Sequence, residues 1–348
     1  ITIDQFAADY LLRFGPQMQG GIARLMRNGA WFTEAHHDHA ITETAPGHAT
    51  LLSGRFPRST GIMMNSIGVD DAEAPLLANG YGPGASPKRF QGTTLGDWMR
   101  KANGNTRTLS VSMKDRGAIL PSGKAPGEVY WYSPDGRVVT SSYFAKALPS
   151  WVKAFNDKQV PATYAGKVWS LLLPESVYTE PDSVPIENSG RNFLFPHPLP
   201  ADPFDAVNLV RATPFIDDIV ATFAISGVRA LELGATARTD LLAMSLSATD
   251  VVGHGFGPDS REMHDQVLQV DRVIGTFLDS LFAIRDSSRV TIVLTSDHGV
   301  GRIPELAALT VKPAPRRVSL ASVMPAVRTR MRAAGVDTNA FVMDQALV

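Results

Sequence analysis

Three stretches of the chain end in residues that bind metal ions, and each follows an apolar run. Ile1 to Ile3 runs into Asp4. The run TDLLAMSLS, Thr239 to Ser247, is followed by Asp250 and, four residues later, by His254. VTIVLT, Val290 to Thr295, runs into Ser296-Asp297-His298-Gly299. In an open parallel sheet, ligands gather outside the carboxyl ends of the strands. Separate strands that each deliver an Asp or His to that edge make a convergent cluster of oxygen and nitrogen donors. Gly253, Gly255 and Gly299 let the backbone turn sharply beside a bound ion. One strand-end Asp alone would be a loop or helix cap. Asp-x-x-x-His together with Ser-Asp-His-Gly in one chain points to metal binding. The chain has no cysteine, which excludes thiolate sites, thiol nucleophiles and disulfides. Carboxylate and imidazole donors suit zinc, or manganese or cobalt on ligand type alone.

A second signal is the segment Thr42-Glu43-Thr44-Ala45-Pro46-Gly47-His48, continuing to Leu51-Leu52-Ser53-Gly54. Pro46 suits the first turn of a helix and Gly54 its end. Thr44 then stands at the helix N-terminus, where free N–H groups and the helix dipole favour phosphate. Its hydroxyl is a weak nucleophile until deprotonated, which coordination to a metal achieves without a general base. Alone, Thr44 reads equally well as an ordinary N-cap; the neighbouring metal cluster favours the nucleophile.

These residues need a scaffold, and strand and helix patterns alternate along the chain as in an α/β fold with a largely parallel sheet. Gly20 to Asn28 reads as a helix and Ala30 to Ala35 as a strand. Thr93 to Lys101 is helical and Thr106 to Ser112 a strand. Glu128 to Ser142, with the turn Pro134-Asp135-Gly136, is a hairpin. Thr213 to Leu233 is a long helix. Met263, Val267, Val270, Ile274, Phe277 and Leu281 give helical spacing from Glu262 to Phe282. The unbroken apolar run VTIVLT reads as a buried strand, and Ser319 to Ala334 as a last helix. Pro121 to Pro203, poor in periodicity toward its end, reads as an insertion over the main sheet and the active site.

With 33 basic against 34 acidic residues, the chain shows no electrostatic footprint for nucleic acid or an anionic membrane. No apolar run approaches the roughly 20 residues of a membrane span, and no signal peptide opens the chain.

Thr-x-Pro-x-His before a helix, Asp-x-x-x-His and Asp-His-Gly after a strand resemble the alkaline phosphatase superfamily. Within it, Thr44-Ala-Pro-Gly-His48, Gly61-Ile62 with Asn65, Lys114-Asp115-Arg116-Gly117, the hairpin EVYWYSPDGRVVTSSYF and SATDVVGHGFGP resemble the phosphate-irrepressible alkaline phosphatases, which use a threonine nucleophile. The resemblance runs from Ile1 to about Glu305 and implies an alkaline-phosphatase-like sandwich, its mostly parallel sheet flanked by helices. It implies one zinc bound by Asp4, Asp297, His298 and the Thr44 oxygen, and a second bound by Asp250 and His254. Asn65, Lys114 and Arg116 match family positions that contact phosphate oxygens. Lys114 and Arg116, two apart, would point the same way on an extended segment. Small-molecule phosphate esters are the expected partners, and a periplasmic or secreted location the expected compartment.

Among the other histidines, His36, His37 and His39 match no ligand spacing of the family and read as surface or supporting residues. His48, one turn after Thr44, could orient the site by hydrogen bonding. His197 reads as a loop residue and His264 as structural. The family pattern includes a further metal-binding histidine downstream of Asp-His-Gly, and none follows His298. The chain therefore reads as a single catalytic domain, 1–348, trimmed at both ends. The function expected is phosphate monoester hydrolysis through a phosphothreonine at a two-zinc site. The alternatives are a nucleotide pyrophosphatase or phosphodiesterase of the same superfamily, or a non-catalytic relic that binds metal or phosphate.

Overall fold

The computed structural model of the chain describes residues 1–338 apart from 78, 79, 81 and 126. The chain packs as two compact units, Ile1–Val300 and Gly301–Val348. The last ten positions of the 1–348 domain reading lie outside the described residues. In the second unit, Leu320–Ala333 is helical, as its sequence predicts. No described helix is long and apolar enough to cross a membrane.

The strands in chain order are β1 (Thr2–Ile3), β2 (Thr108–Ser112), β3 (Glu128–Tyr132), β4 (Val138–Val139), β5 (Val168–Trp169), β6 (His197–Pro198), β7 (Leu241–Leu246) and β8 (Thr295–Ser296). Six of them form one sheet in the order β4-β3-β2-β7-β1-β8, while β5 and β6 pair separately. Every neighbour in the large sheet is parallel except the β3–β4 hairpin. The register is what matters for function. Ile3 lies opposite both Leu246 and Ser296, and Ser112 lies opposite Ser245. Four parallel strands therefore finish nearly level.

Period-two alternation divides the side chains between two cores. Leu109, Val111, Tyr130 and Tyr132 join one, with Ile216, Phe223, Val267 and Ile274 of the helices Phe215–Ala230 and Arg261–Phe282. Val129 and Trp131 join the other, with Ala45 and Ala49 of the helix Thr44–Leu51 and Ala118 to Leu120 of the helix Asp115–Ser122. The result is the expected sandwich, a mostly parallel sheet with helices on both faces. The helices Gly21–Asn28 and Leu95–Ala102 also form where the sequence places them.

Two expected strands differ. Ala30 to Ala35 forms none, and Trp31 and Phe32 are exposed; four apolar residues, two of them alanine, offer too little surface to bury against a sheet. In VTIVLT only Thr295 enters a strand, and Val293 is 68% exposed. The run lies at the outer edge of the sheet, where among the described residues β8 pairs only with β1, so it is not the buried strand that its apolar composition suggests. The hairpin inside the stretch read as an insertion is part of the main sheet, since β3 pairs with β2.

The rest of that stretch is tied to the first turns of the helix Arg261–Phe282. The buried Asp265 carboxylate accepts from Trp169 Nε1 (2.7 Å), Leu172 N (2.6 Å) and the Tyr178 hydroxyl (2.6 Å). Arg261 reaches Glu175 at 2.9 Å, His264 Nδ1 reaches Glu180 at 2.9 Å, and His197 Nε2 reaches Glu262 at 3.1 Å. His264 is thus structural, as read, whereas His197 is a buried strand residue rather than a loop residue. Asp265→Ala leaves these three donors, and Gln269 Nε2 at 3.1 Å, without their acceptor, each costing about 1–3 kcal/mol when buried. We expect a stability loss of at least about 3 kcal/mol by urea unfolding. A loss under about 1 kcal/mol would show that water replaces the carboxylate.

Candidate active site

The level strand ends set the site. Asp4 directly follows β1, Asp297 directly follows β8, and Lys114 stands two residues beyond β2. Asp250 occupies the first turn of the helix Ala248–Phe256 that follows β7. These four residues, Thr44 and His298 are all buried.

Lys114 Nζ lies 2.8 Å from Asp4 Oδ2, 2.5 Å from Asp250 Oδ2 and 3.2 Å from Thr44 Oγ1. His298 Nε2 lies 3.5 Å from Asp4 Oδ1, 3.7 Å from Asp297 Oδ2 and 3.8 Å from Asp250 Oδ1. One ammonium and one imidazole thus stand among three carboxylates. Thr44 Oγ1 is 3.5 Å from Asp4 Oδ1, which brings the nucleophile candidate into the cluster.

The charges shift one another's protonation. Burial works to raise the Asp4 pKa, but the charges of Lys114, His298 and His48 hold it well below the usual carboxylate value. Asp250 is also lowered: burial and Asp4 oppose this, and His254 and Lys114 outweigh them. His298 is pushed up to about 9; burial favours its neutral form, and Asp4 and Asp297 prevail. His48 is raised too, because Asp297 overcomes its complete burial.

Thr44 begins the helix Thr44–Leu51, with Glu43 as the preceding cap residue. Asn65 Oδ1 accepts from Ala45 N at 2.8 Å, and Asn65 N donates to Glu43 Oε2 at 2.9 Å, so Asn65 is fixed beside the helix start. His48 Nδ1 stands 2.9 Å from both the Thr44 carbonyl and Asp297 Oδ2, and its Nε2 is 2.8 Å from Ser245 Oγ. It joins the helix Thr44–Leu51, the β8 end and β7. Gly47 allows the helix to come close, since a Cβ there would lie 2.3 Å from the Asp297 carbonyl oxygen.

Two predicted residues stand apart. His254 Nε2 is 3.3 Å from Asp250 Oδ1, but its side chain is 69% exposed. Arg116 lies inside the helix Asp115–Ser122, 3.7 Å from Asp115. Lys114 alone has extended backbone, as that helix's cap. The two cations therefore do not share an extended segment, because the helix starts between them. Of the upstream histidines, His37 Nε2 bonds the Ser296 carbonyl at 2.9 Å and His36 pairs with Glu34 at 3.4 Å. The sequence reading missed Gln5 and Ser245, neither of which belongs to a motif.

The donor set fits a divalent ion. Among the described residues, Asp4, Asp250 and His298 offer ligand atoms all within 4.8 Å of one another. Asp4 Oδ2, Asp297 Oδ2 and His298 Nε2 are buried without a hydrogen bond of good geometry, as inward-facing ligands would be.

A sequence model of the family described as type I phosphodiesterase / nucleotide pyrophosphatase matches residues 1–334. The alkaline phosphatase PafA of Elizabethkingia meningoseptica is 32% identical over 320 residues, covering 86% of this chain and 59% of that protein. The alkaline phosphatase PhoV of Synechococcus elongatus is 33% identical over 323 residues, covering 87% and 59%. The chain thus spans about 59% of the length of these relatives. A crystal structure of wild-type PafA superimposes with a TM-score of 0.85 at 27% identity, covering 96% of this chain and 67% of that one. A second, of a PafA variant substituted at a threonine, an asparagine, a lysine and an arginine, gives 0.85 at 25% identity, covering 97% and 74%. The threonine and asparagine are as far apart in sequence as Thr44 and Asn65, and the lysine and arginine as far apart as Lys114 and Arg116.

The raised His298 pKa has a measurable sign. The folded chain binds this proton more tightly than the unfolded chain, whose histidine titrates near 6.5. The stabilisation is complete below that value and is lost as pH rises through about 9. The melting temperature of metal-stripped protein should fall between those pH values, and His298→Gln should flatten the fall. A flat profile in the parent would contradict the assignment.

Proposed function

The chain belongs to the type I phosphodiesterase / nucleotide pyrophosphatase family, within the alkaline phosphatase superfamily, and we propose that it hydrolyses phosphate monoesters with Thr44 as nucleophile. The observation that carries this reading is the Thr44 hydroxyl at a helix N-terminus, 3.2 Å from Lys114 Nζ and 3.5 Å from Asp4 Oδ1. The intervals shared with the substituted PafA positions support the roles of Thr44, Asn65, Lys114 and Arg116.

On this reading Asp4, Asp297, His298 and the Thr44 oxygen hold one zinc, and Asp250 and His254 hold a second. Metal ions held there would supply Lewis acidity, lowering the pKa of the Thr44 hydroxyl and offsetting charge on the departing oxygen. Thr44 Oγ gives its proton to solvent and forms a bond to phosphorus as the ester P–O bond breaks, and the alcohol leaves with a proton from solvent. Water then attacks the phosphothreonine, releasing inorganic phosphate and restoring the hydroxyl. Lys114 holds a non-bridging oxygen throughout, and the N-terminal end of the Thr44–Leu51 helix favours the same negative charge. His48 keeps Asp297 in orientation. An extracytoplasmic location belongs to the same proposal.

Diester hydrolysis is the second reading, favoured by one observation. Arg116 pairs with Asp115, which leaves Lys114 as the cation in contact with Thr44. A monoester carries one more negative charge than a diester, so cations in the site discriminate between them.

Thr44→Ala should abolish turnover while metal is still bound, and Thr44→Ser should keep much of the activity. Normal turnover by Thr44→Ala rules the nucleophile out. Losing a donor aimed at developing charge costs roughly 3 kcal/mol, or about a hundredfold in rate. Lys114→Ala and Arg116→Ala should each slow monoester hydrolysis by that much and diester hydrolysis far less. Equal losses on both substrates would favour the diesterase. A parent that binds zinc and turns over neither substrate would be a non-catalytic relic.

A further inference from the structure

Gln5 follows Asp4 and has φ +62°, a left-handed conformation that L side chains seldom adopt. It is almost wholly buried, at 2% exposure. The unusual backbone points its N–H at Asp297 Oδ1, 3.0 Å away. The side chain reaches the other way, where Nε2 donates to Asp250 Oδ1 at 3.1 Å and lies 3.3 Å from His254 Nε2. One residue thus touches three of the side chains assigned to metal and is bonded to a fourth, Asp4.

Its neighbours make room for it. A Cβ on Gly253 would lie 1.9 Å from Gln5 Oε1, so the helix carrying Asp250 and His254 has a glycine where the carboxamide passes. A glycine at position 5 would adopt the same backbone without strain. The chain instead carries a long side chain there, and the use of that side chain lies at its tip. The carboxamide is neutral, so it donates to Asp250 without adding charge to a site already holding three carboxylates. Beside it, Asp250 Oδ1 and His254 Nε2 stand 3.3 Å apart. Two ligands of one tetrahedral zinc, with bonds of about 2.0–2.1 Å, are separated by roughly the same distance.

We propose that Gln5 is a positioning residue that holds Asp250 and His254 at ligand spacing through its carboxamide and fixes Asp297 through its backbone. The inference rests on the two-zinc reading. Groups that hydrogen-bond to metal ligands typically cost about 10- to 100-fold in metal affinity when removed.

The experiment titrates zinc into the metal-stripped parent, Gln5→Gly and Gln5→Ala in competition with a chromophoric chelator, and follows thermal unfolding of each metal-free form. Both variants lack the carboxamide, and only Gln5→Gly relieves the left-handed backbone. We expect one of the two zinc ions to bind about 10- to 100-fold more weakly in both variants. The other should stay within about threefold, and metal-free Gln5→Gly should melt above Gln5→Ala. A Gln5→Gly protein that binds both ions as tightly as the parent overturns the role of Gln5 alone. So does a loss confined to Gln5→Ala, which would trace to backbone strain. A parent that binds fewer than two zinc ions overturns the two-zinc reading and this inference with it.

Discussion

Three buried carboxylates at one edge of a sheet are the constraint around which the first compact unit is organised. A pair of unit charges about 4 Å apart interacts by roughly 4 kcal/mol at an effective dielectric constant near 20, and like charges repel as strongly. Three carboxylates can share this edge only with cations among them. Lys114 touches two of them and His298 approaches all three. That arrangement needs β1, β2, β7 and β8 to end level. A register slip of one residue would turn Asp4 to the opposite face of the sheet and leave the ammonium with Asp250 as its carboxylate partner.

Around this cluster, the parts that carry chemistry sit on rigid elements. Thr44 is held by its helix, the helix by the glycine contact at Gly47, and His48 joins helix, strand and loop. Little backbone freedom remains between Thr44 and the carboxylates, and such pre-organisation lets a site stabilise charge without rearranging as it develops.

Much of this was legible in the sequence, for physical reasons that differ by element. The helix Arg261–Phe282 shows in 3.6-residue spacing over many turns, β2 in the alternation of Leu109 and Val111 with polar residues, and β7 in an apolar run of strand length. Strand-end Asp and His residues were readable because parallel sheets present those ends to ligands. Ala30 to Ala35 misled because local composition does not reveal whether a neighbouring strand exists. VTIVLT was assigned to the interior, since an apolar run looks the same at an edge as at the centre. Arg116 was paired with Lys114 by spacing, which holds for extended chain and fails when a helix starts between the two. Gln5 left no trace: its part depends on a left-handed backbone and on contacts nearly 300 residues away along the chain.

The bonds to Asp265 have a consequence for motion. Trp169, Leu172 and Tyr178 all bond one carboxylate on the core helix Arg261–Phe282. A segment that looks like a cover by composition is therefore fastened to a helix of the hydrophobic core. In hydrogen exchange, the Leu172 amide should be among the slow protons that open only with the core, rather than with the fast protons of surface loops. The stretch from Trp169 to Tyr178 then moves with that helix as one body rather than as a hinged cover.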